Sequence, residues 1–556
     1  MQGIGIGVSD FKVLRLKDNY FIDKSLFIKD IIDNQSSVVL ITRPRRFGKT
    51  LNMSMLRYYF DCNQKYSDQL FNGLKIMEQE EKYTSKQGYY PCIYMTMKDV
   101  NDGDYTNMIL SMKTAVLEAY REHRYLLESD KIYEEEKAKI TDILWGREDE
   151  VTLKNSIKEL SGYLYRHYER PVILLIDEYD VPLQNAYVKG FYEETIQFFK
   201  TFYGTTFKDN PYIDKTVLTG VSRVAKESIF SGANNFKVYT VLDDEFSDDF
   251  GITREEMKKI ISDFDIHEDE EEIKKWYDGF VFGKVRDIYN PWSIINLLDT
   301  GKFSTYWANT SSNSLVSRLI RQGSRRIKEQ FETLMQGGCI NTEIDEQIVY
   351  NLLDDNEEAI WSLLLASGYL KVLQVNMEEE CYQLTLTNYE VKRMFRNMIR
   401  GWFKKDSSNY NDFIQALLLD DVDAMNEYMN RVTRSVFSSF DTGKRPSSAE
   451  PERFYHGFVL GLMMELQDRY IITSNRESGF GRYDVILYPR KDDDAIIMEF
   501  KVFNKRREKN LEDTLASALR QIEEKQYAQT LIGQGIASER IRKYGFAFEG
   551  KEVLIG

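Results

Sequence analysis

Apolar positions in the first 230 residues follow two spacings. Four short runs, Ser37 to Ile41, Cys92 to Met97, Val172 to Ile176 and Ile213 to Thr219, are rich in aliphatic side chains and predict buried strands. Lys49 to Phe60, Tyr105 to Arg124 and Phe191 to Phe202 instead place apolar residues at helical spacing. Strands that alternate with helices predict an α/β domain with a mainly parallel sheet, over residues 1–240.

The pattern then changes. From about Asp243 to Asn430 helical periodicity dominates, broken by loops such as Gly337-Gly338. A short β pair, Leu370 to Val375 with Gln383 to Leu386, interrupts it. Residues 241–440 therefore read as a helical lid and a winged-helix-like connector. Ser438 to Pro451 collects Ser, Gly, Pro, Asp and Glu, the composition of a boundary loop. Residues 450–556 read as a small α/β/α unit. Its elements are a helix Arg453 to Leu466, strands Gly481 to Tyr488 and Ala495 to Val502, a helix Leu511 to Tyr527, and short elements at Thr530 to Gly535 and Phe546 to Ile555.

A chain of 556 residues suits several domains at about 150 residues each. Its balance, 42% hydrophobic and 29% charged, is that of a globular protein and not of a disordered one. Val172 to Ile176, the longest aliphatic run, is far too short for a bilayer, which needs about 20 apolar residues. No membrane partner is expected. Met1 to Asp10 carries neither a charged leader nor a long apolar core, so no secretory signal is expected. Cys62, Cys92, Cys339 and Cys381 form no CxxC pair, which argues against a disulfide framework or a zinc ribbon and for a reducing, cytoplasmic setting. A net charge of -15 excludes a protein coated in nucleic-acid-binding charge, though not a local basic groove. From Glu452 onward acidic and basic residues balance, so the excess negative charge lies upstream.

Two constellations carry chemistry. The first is Arg43-Pro44-Arg45-Arg46-Phe47-Gly48-Lys49-Thr50, set between a predicted strand and a predicted helix. A phosphate-binding loop needs backbone amides around the phosphates, a Lys on the β and γ oxygens and a hydroxyl on Mg²⁺. Gly48, Lys49 and Thr50 meet that need, but Arg43 stands where the first glycine belongs and Pro44 removes one N–H. Downstream, the Val172 to Ile176 strand ends in Asp177 and Glu178. In a P-loop fold the first carboxylate holds the Mg²⁺ shell and the second orients or deprotonates the attacking water.

The second constellation is Asp484, then Glu499 and Lys501 on the next strand. Residues i and i+2 of a strand share a face, so Glu499 and Lys501 point the same way. Carboxylates gathered there would bind Mg²⁺, and the lysine would position water or offset charge. Glu452 is a further ligand candidate, with Glu450 competing, and Gln521 and Tyr527 lie in the following helix. His456 reads as a packed histidine. The basic run Lys501, Lys505, Arg506, Arg507 and Lys509 either tracks a DNA backbone or is a solvated loop.

These stretches resemble bacterial proteins that pair an AAA-ATPase-like domain with a C-terminal PD-(D/E)xK nuclease domain. Tyr20 to Ser25, the Arg43 to Thr50 loop with Leu51 to Leu56, and Leu218 to Arg223 carry the resemblance. So do Trp276 to Phe280, Tyr289 to Ser293 and Ser367 to Leu370. The resemblance implies that the missing first glycine is a family trait. It implies ATP and Mg²⁺ as cofactors, with Arg46, Phe47, Gly48, Lys49, Thr50, Asp177, Thr219 and Arg223 at the nucleotide. Thr219 would be a polar sensor of the γ-phosphate or a helix cap. Arg223 would reach the phosphate or a neighbour's site, or make a surface ion pair. Arg45 would touch phosphate or solvent. Asp23-Lys24 would meet the base or form a salt bridge. Trp276 and Trp292 read as packing residues. Catalysis would rest on Glu178, Asp484, Glu499 and Lys501, with metal ligands Thr50, Asp177, Glu452, Asp484 and Glu499. The function implied is ATP binding or hydrolysis coupled to a Mg²⁺-dependent nuclease acting on nucleic acid, DNA in the first instance, in a chain able to form homo-oligomers. The rival reading is a nucleotide-dependent signalling or binding switch whose nuclease-like domain is inactive.

Overall fold

The computed structural model describes residues 3–64, 67–223, 236–266, 268–308, 314–322, 324–345, 356, 358–376, 378, 380–402, 410–437, 463, 466, 469–474, 477–478, 481–482, 485–504, 507–549 and 552–556. The chain divides into two units, Met1–Met394 and Phe395–Gly556.

In the first unit, strands β1 (Val38–Thr42), β2 (Cys92–Thr96), β3 (Val172–Asp177), β4 (Ile213–Gly220) and β5 (Phe236–Tyr239) form one parallel sheet. Its order is β2-β3-β4-β1-β5. The four expected strands are present, and β5 is a fifth that the sequence pattern did not single out. Alternation divides the side chains between two faces. Val38, Leu40, Leu174, Ile176 and Leu218 share a core with helices Tyr105–Glu122, Glu150–Tyr168 and Tyr192–Phe207. Helix Lys49–Phe60 packs on β2, β3 and β4.

Beyond β5, helices Arg254–Phe264, Glu270–Tyr277 and Pro291–Thr300 close a separate small core around Trp276, Tyr277 and Ile294. A hairpin follows Tyr277, made of β6 (Phe280–Phe282) and β7 (Val285–Ile288). Strands β8 (Ile340–Glu343), β9 (Leu370–Asn376) and β10 (Cys381–Leu386) form an antiparallel sheet of order β8-β10-β9, beside helices Ser314–Gln322, Arg325–Met335 and Ala359–Ala366.

The second unit is a mixed five-stranded sheet of order β11-β14-β15-β16-β17. The strands are β11 (Tyr470–Ser474), β14 (Val485–Pro489), β15 (Ala495–Val502), β16 (Ile541–Glu549) and β17 (Glu552–Ile555); a two-residue pair, β12 (Glu477–Ser478) and β13 (Gly481–Arg482), stands apart. Only β15 and β16 run parallel. Ile486 and Ile497 pack with Ile522 of helix Leu511–Glu524 and with Leu531. Met498 and Phe500, of opposite parity, pack with Phe413, Leu417, Met425 and Met429. Those last residues belong to helices Tyr410–Leu419 and Val422–Phe437, which the sequence pattern groups with the connector. They supply the second helical layer of the α/β/α arrangement. The expected helix Arg453 to Leu466 lies almost wholly outside the described residues.

No helix among the described residues is long and apolar enough to cross a membrane.

Candidate active sites

The loop after β1 ends in Gly48, whose φ of 84° is a left-handed value that lets the chain turn directly into helix Lys49–Phe60. Arg46 also has positive φ, 65°. Arg43 is fully buried. Its guanidinium donates to the carbonyl oxygens of Thr42 at 2.8 Å, Thr240 at 2.7 Å and Phe246 at 2.9 Å. It also lies over the rings of Phe250 and Phe282. Burial pulls its pKa down to about 10 against the opposing charge of Asp249 and Asp243. The residue in place of a glycine is thus a clamp that ties the loop to the segment after β5.

Four further side chains of the loop have partners of their own. Phe47 is buried between Phe280 and Phe282, with ring centroids 4.7 and 5.3 Å away. Its side chain packs against the β6–β7 hairpin. Arg46 is exposed and its guanidinium lies 4.5 Å from the centre of the Trp292 ring. Arg45 donates to Gln184 Oε1 at 3.2 Å, and its carbonyl accepts from Trp307 Nε1 at 2.8 Å. The Lys49 ammonium donates to the carbonyls of Arg43 at 2.9 Å and Pro44 at 2.8 Å. Burial pulls the Lys49 pKa down to about 8, while Asp177, Asp180 and Glu178 oppose the shift. Thr50 is half-buried in the first helical turn.

Asp177 ends β3 and is buried. Its Oδ1 accepts from Thr219 Oγ1 at 2.5 Å and from the Glu178 amide at 3.1 Å. Thr219 pairs in register with Ile41 of β1, so β4 stands between the loop strand and the acidic strand, with all three carboxyl ends on one edge. Thr219 therefore bonds a carboxylate and does not cap a helix. Glu178 adopts φ 55°, and burial and the Asp177 charge raise its pKa while Lys49 opposes.

Asp180, which sequence reasoning missed, holds the end of β4. Its Oδ2 accepts from the amides of Val221 at 3.0 Å and Ser222 at 2.8 Å and from Ser222 Oγ at 2.8 Å. An Asp three residues after a strand-ending Asp was the available signal, and it reads equally as a helix cap. Arg223 borders a small cavity with Thr42, Thr240 and Asp345. Asp23 accepts from the Ser25 and Lys75 amides, and Lys24 pairs with Glu256 at 2.7 Å.

In the second unit, Glu499 and Lys501 share a face of β15, and Gln521 joins them. Lys501 Nζ donates to Gln521 Oε1 at 2.7 Å, and Gln521 Nε2 donates to Glu499 Oε1 and, at 3.1 Å, to the Tyr527 hydroxyl. Glu499 and Tyr527 are buried. Gly545 is in register with Glu499, and a Cβ there would lie 2.7 Å from Leu515 Cδ1. The bare backbone lets helix Leu511–Glu524 approach closely enough for Gln521 to reach both groups. Asp484, Glu450, Glu452, His456, Lys505 and Arg506 lie outside the described residues. Val485, next after Asp484, pairs with Met498. Among the described residues no group of three or more His, Cys, Asp or Glu side chains gathers as a metal cluster.

Residues 5–230 match the family model described as "Predicted AAA-ATPase". Residues 450–556 match the model of the PD-(D/E)XK nuclease superfamily. The chain is also 24% identical over 552 residues to an "Uncharacterized protein in vnfD 5'region" of Azotobacter chroococcum mcd 1, covering 95% of this chain and 94% of that protein. The N-terminal parallel sheet with its Lys49 loop, and the C-terminal mixed sheet with its Glu499–Lys501 pair, belong to a chain that joins an AAA-ATPase-like domain to a PD-(D/E)XK nuclease superfamily domain.

Proposed function

We propose that the first unit binds and hydrolyses ATP and that the second cleaves phosphodiester bonds of nucleic acid, with nucleotide state controlling the second site. The observation that carries the reading is the meeting of Lys49, Asp177 and Thr219 at the carboxyl ends of three adjacent parallel strands. Phosphate would take the Lys49 ammonium from the two loop carbonyls that now hold it. Glu178, its carboxyl raised toward neutral form by burial, is suited to accept a proton from the attacking water. Thr50 and Asp177 are the residues that would hold Mg²⁺ at the ATP site, and their all-oxygen donor set fits a hard cation. Glu499 would serve likewise at the second site, with Asp484 and Glu452 as proposed partners. The metal when bound would neutralise phosphate charge and, at the second site, lower the pKa of a water. Lys501, held by Gln521, would position that water.

A second reading, a nucleotide-dependent switch with an inactive C-terminal domain, is favoured by the many ties from residues 240–307 to the phosphate loop. Two variants separate the readings. Lys49→Ala should abolish ATP binding in calorimetry under both. Glu499→Ala should abolish Mg²⁺-dependent cleavage of DNA or RNA only under the first. Absence of any cleavage by folded wild-type protein across single- and double-stranded substrates would leave the switch.

A further inference from the structure

Beside the phosphate loop lies a partly open, mainly apolar cleft of about 120 Å³. Ile22, Phe47, Leu51, Ile252 and Ile294 line it, and Gly48 belongs both to its wall and to the loop. A nucleotide whose phosphates lie on the loop amides therefore has its base within reach of the cleft. The walls are apolar apart from a few groups, of which Asp249 stands out. Asp249 is buried, 5% exposed, and its Oδ2 has no hydrogen-bond partner among the described residues. Its backbone carbonyl accepts from Asn52 Nδ2 at 3.0 Å, which fixes it against helix Lys49–Phe60.

Taking the first unit as the nucleotide site proposed above, we propose that this cleft seats the purine and that Asp249 reads its amino edge, selecting adenine over guanine. An acceptor buried without a donor costs free energy, and a ligand that supplies the donor recovers it. On the N7 side adenine presents an acceptor next to its 6-amino donor, whereas guanine presents two acceptors. A neutral carboxyl, with one O–H donor and one acceptor oxygen, matches the adenine pair and leaves one guanine contact unmatched. Guanine's opposite edge carries two donors and would suit an ionised carboxylate. The surroundings oppose that ion: burial, Asp30 and Asp248 push the Asp249 carboxyl well above the usual range, against Lys24 and Arg43.

The test is calorimetry on the full chain with ATP, GTP and purine riboside triphosphate, which lacks the 6-amino group. Wild type should bind ATP about tenfold or more tightly than either competitor, the scale of one unmatched buried hydrogen bond. Asp249→Ala should bring the three within about threefold, while Asp249→Asn, which keeps a donor and an acceptor, should retain the preference. Thermal melting identifies variants that fail to fold. Equal affinity of wild type for all three, or an unchanged preference in Asp249→Ala, overturns the base assignment and leaves the ATP-site reading standing. Failure of wild type to bind any triphosphate overturns both.

Discussion

The indole N–H of Trp307 donates to the carbonyl oxygen of Arg45 at 2.8 Å across 262 positions of sequence. The same Trp307 is held from behind, because its amide and that of Ala308 donate to Glu390 Oε1. Glu390 is fully buried and also accepts from Ser293 Oγ at 2.8 Å, next to the Trp292 ring that Arg46 covers. The phosphate loop is thus held by residues far downstream as much as by its own strand and helix.

Trp307→Phe keeps a large ring and removes the donor. It should cost about 1 kcal/mol of stability and weaken ATP binding by about fivefold, since the Arg45 peptide loses its restraint. Thermal unfolding and calorimetry on the same preparation separate the two effects. Unchanged ATP affinity would mean that the loop geometry does not depend on this bond.

The buried Lys49 ammonium makes ATP affinity pH-dependent. With a pKa of about 8 in the free protein, it is charged below that pH and progressively neutral above it. Phosphate binds the charged form, so binding above pH 8 must take up a proton. Affinity should be level below pH 8 and fall toward about tenfold per pH unit above it, until the bound-state pKa is reached. Calorimetry in buffers of different ionisation enthalpy reads the proton directly, and no uptake at pH 9 would refute this.

Asp180→Ala leaves the Val221 and Ser222 amides and the Ser222 hydroxyl without their acceptor. Loss of this network should cost about 2–3 kcal/mol and lower ATP turnover, because the end of β4 carries Thr219. A urea titration gives the first value and a phosphate-release assay the second. Full stability would show that these donors find other partners.

Gln521→Leu preserves volume and removes the bridge between Glu499 and Lys501. On a nucleic acid that wild type cleaves in Mg²⁺, the rate should fall about 10–100-fold with little change in melting temperature. An unchanged cleavage rate would show that the bridge plays no part in the reaction.

Strands β1 to β4 were legible because each contains a short aliphatic run, buried throughout in β1 and β3, and the acidic end of β3 because Asp177 and Glu178 directly follow one. Glu499 and Lys501 were legible from their spacing of two. Strand β5, Phe236–Tyr239, was not, because only four residues pair and Lys237 is exposed. Nor was the second layer of the C-terminal unit, since the helices at 410–437 have amphipathic faces that name no partner.

By itself the sequence determined the local units and the reactive side chains that strand and helix periods bring to one face. Only the tertiary structure decided that Arg43 is a clamp, that Phe47 packs inward, that Asp180 pins β4 and that Gln521 bridges Glu499 to Lys501. The physical reason is that a buried hydrogen bond is a pairing of one donor with one acceptor. Periodicity tells which face a side chain occupies, but the partner comes from another part of the chain, and only the packed core brings the two within 3 Å.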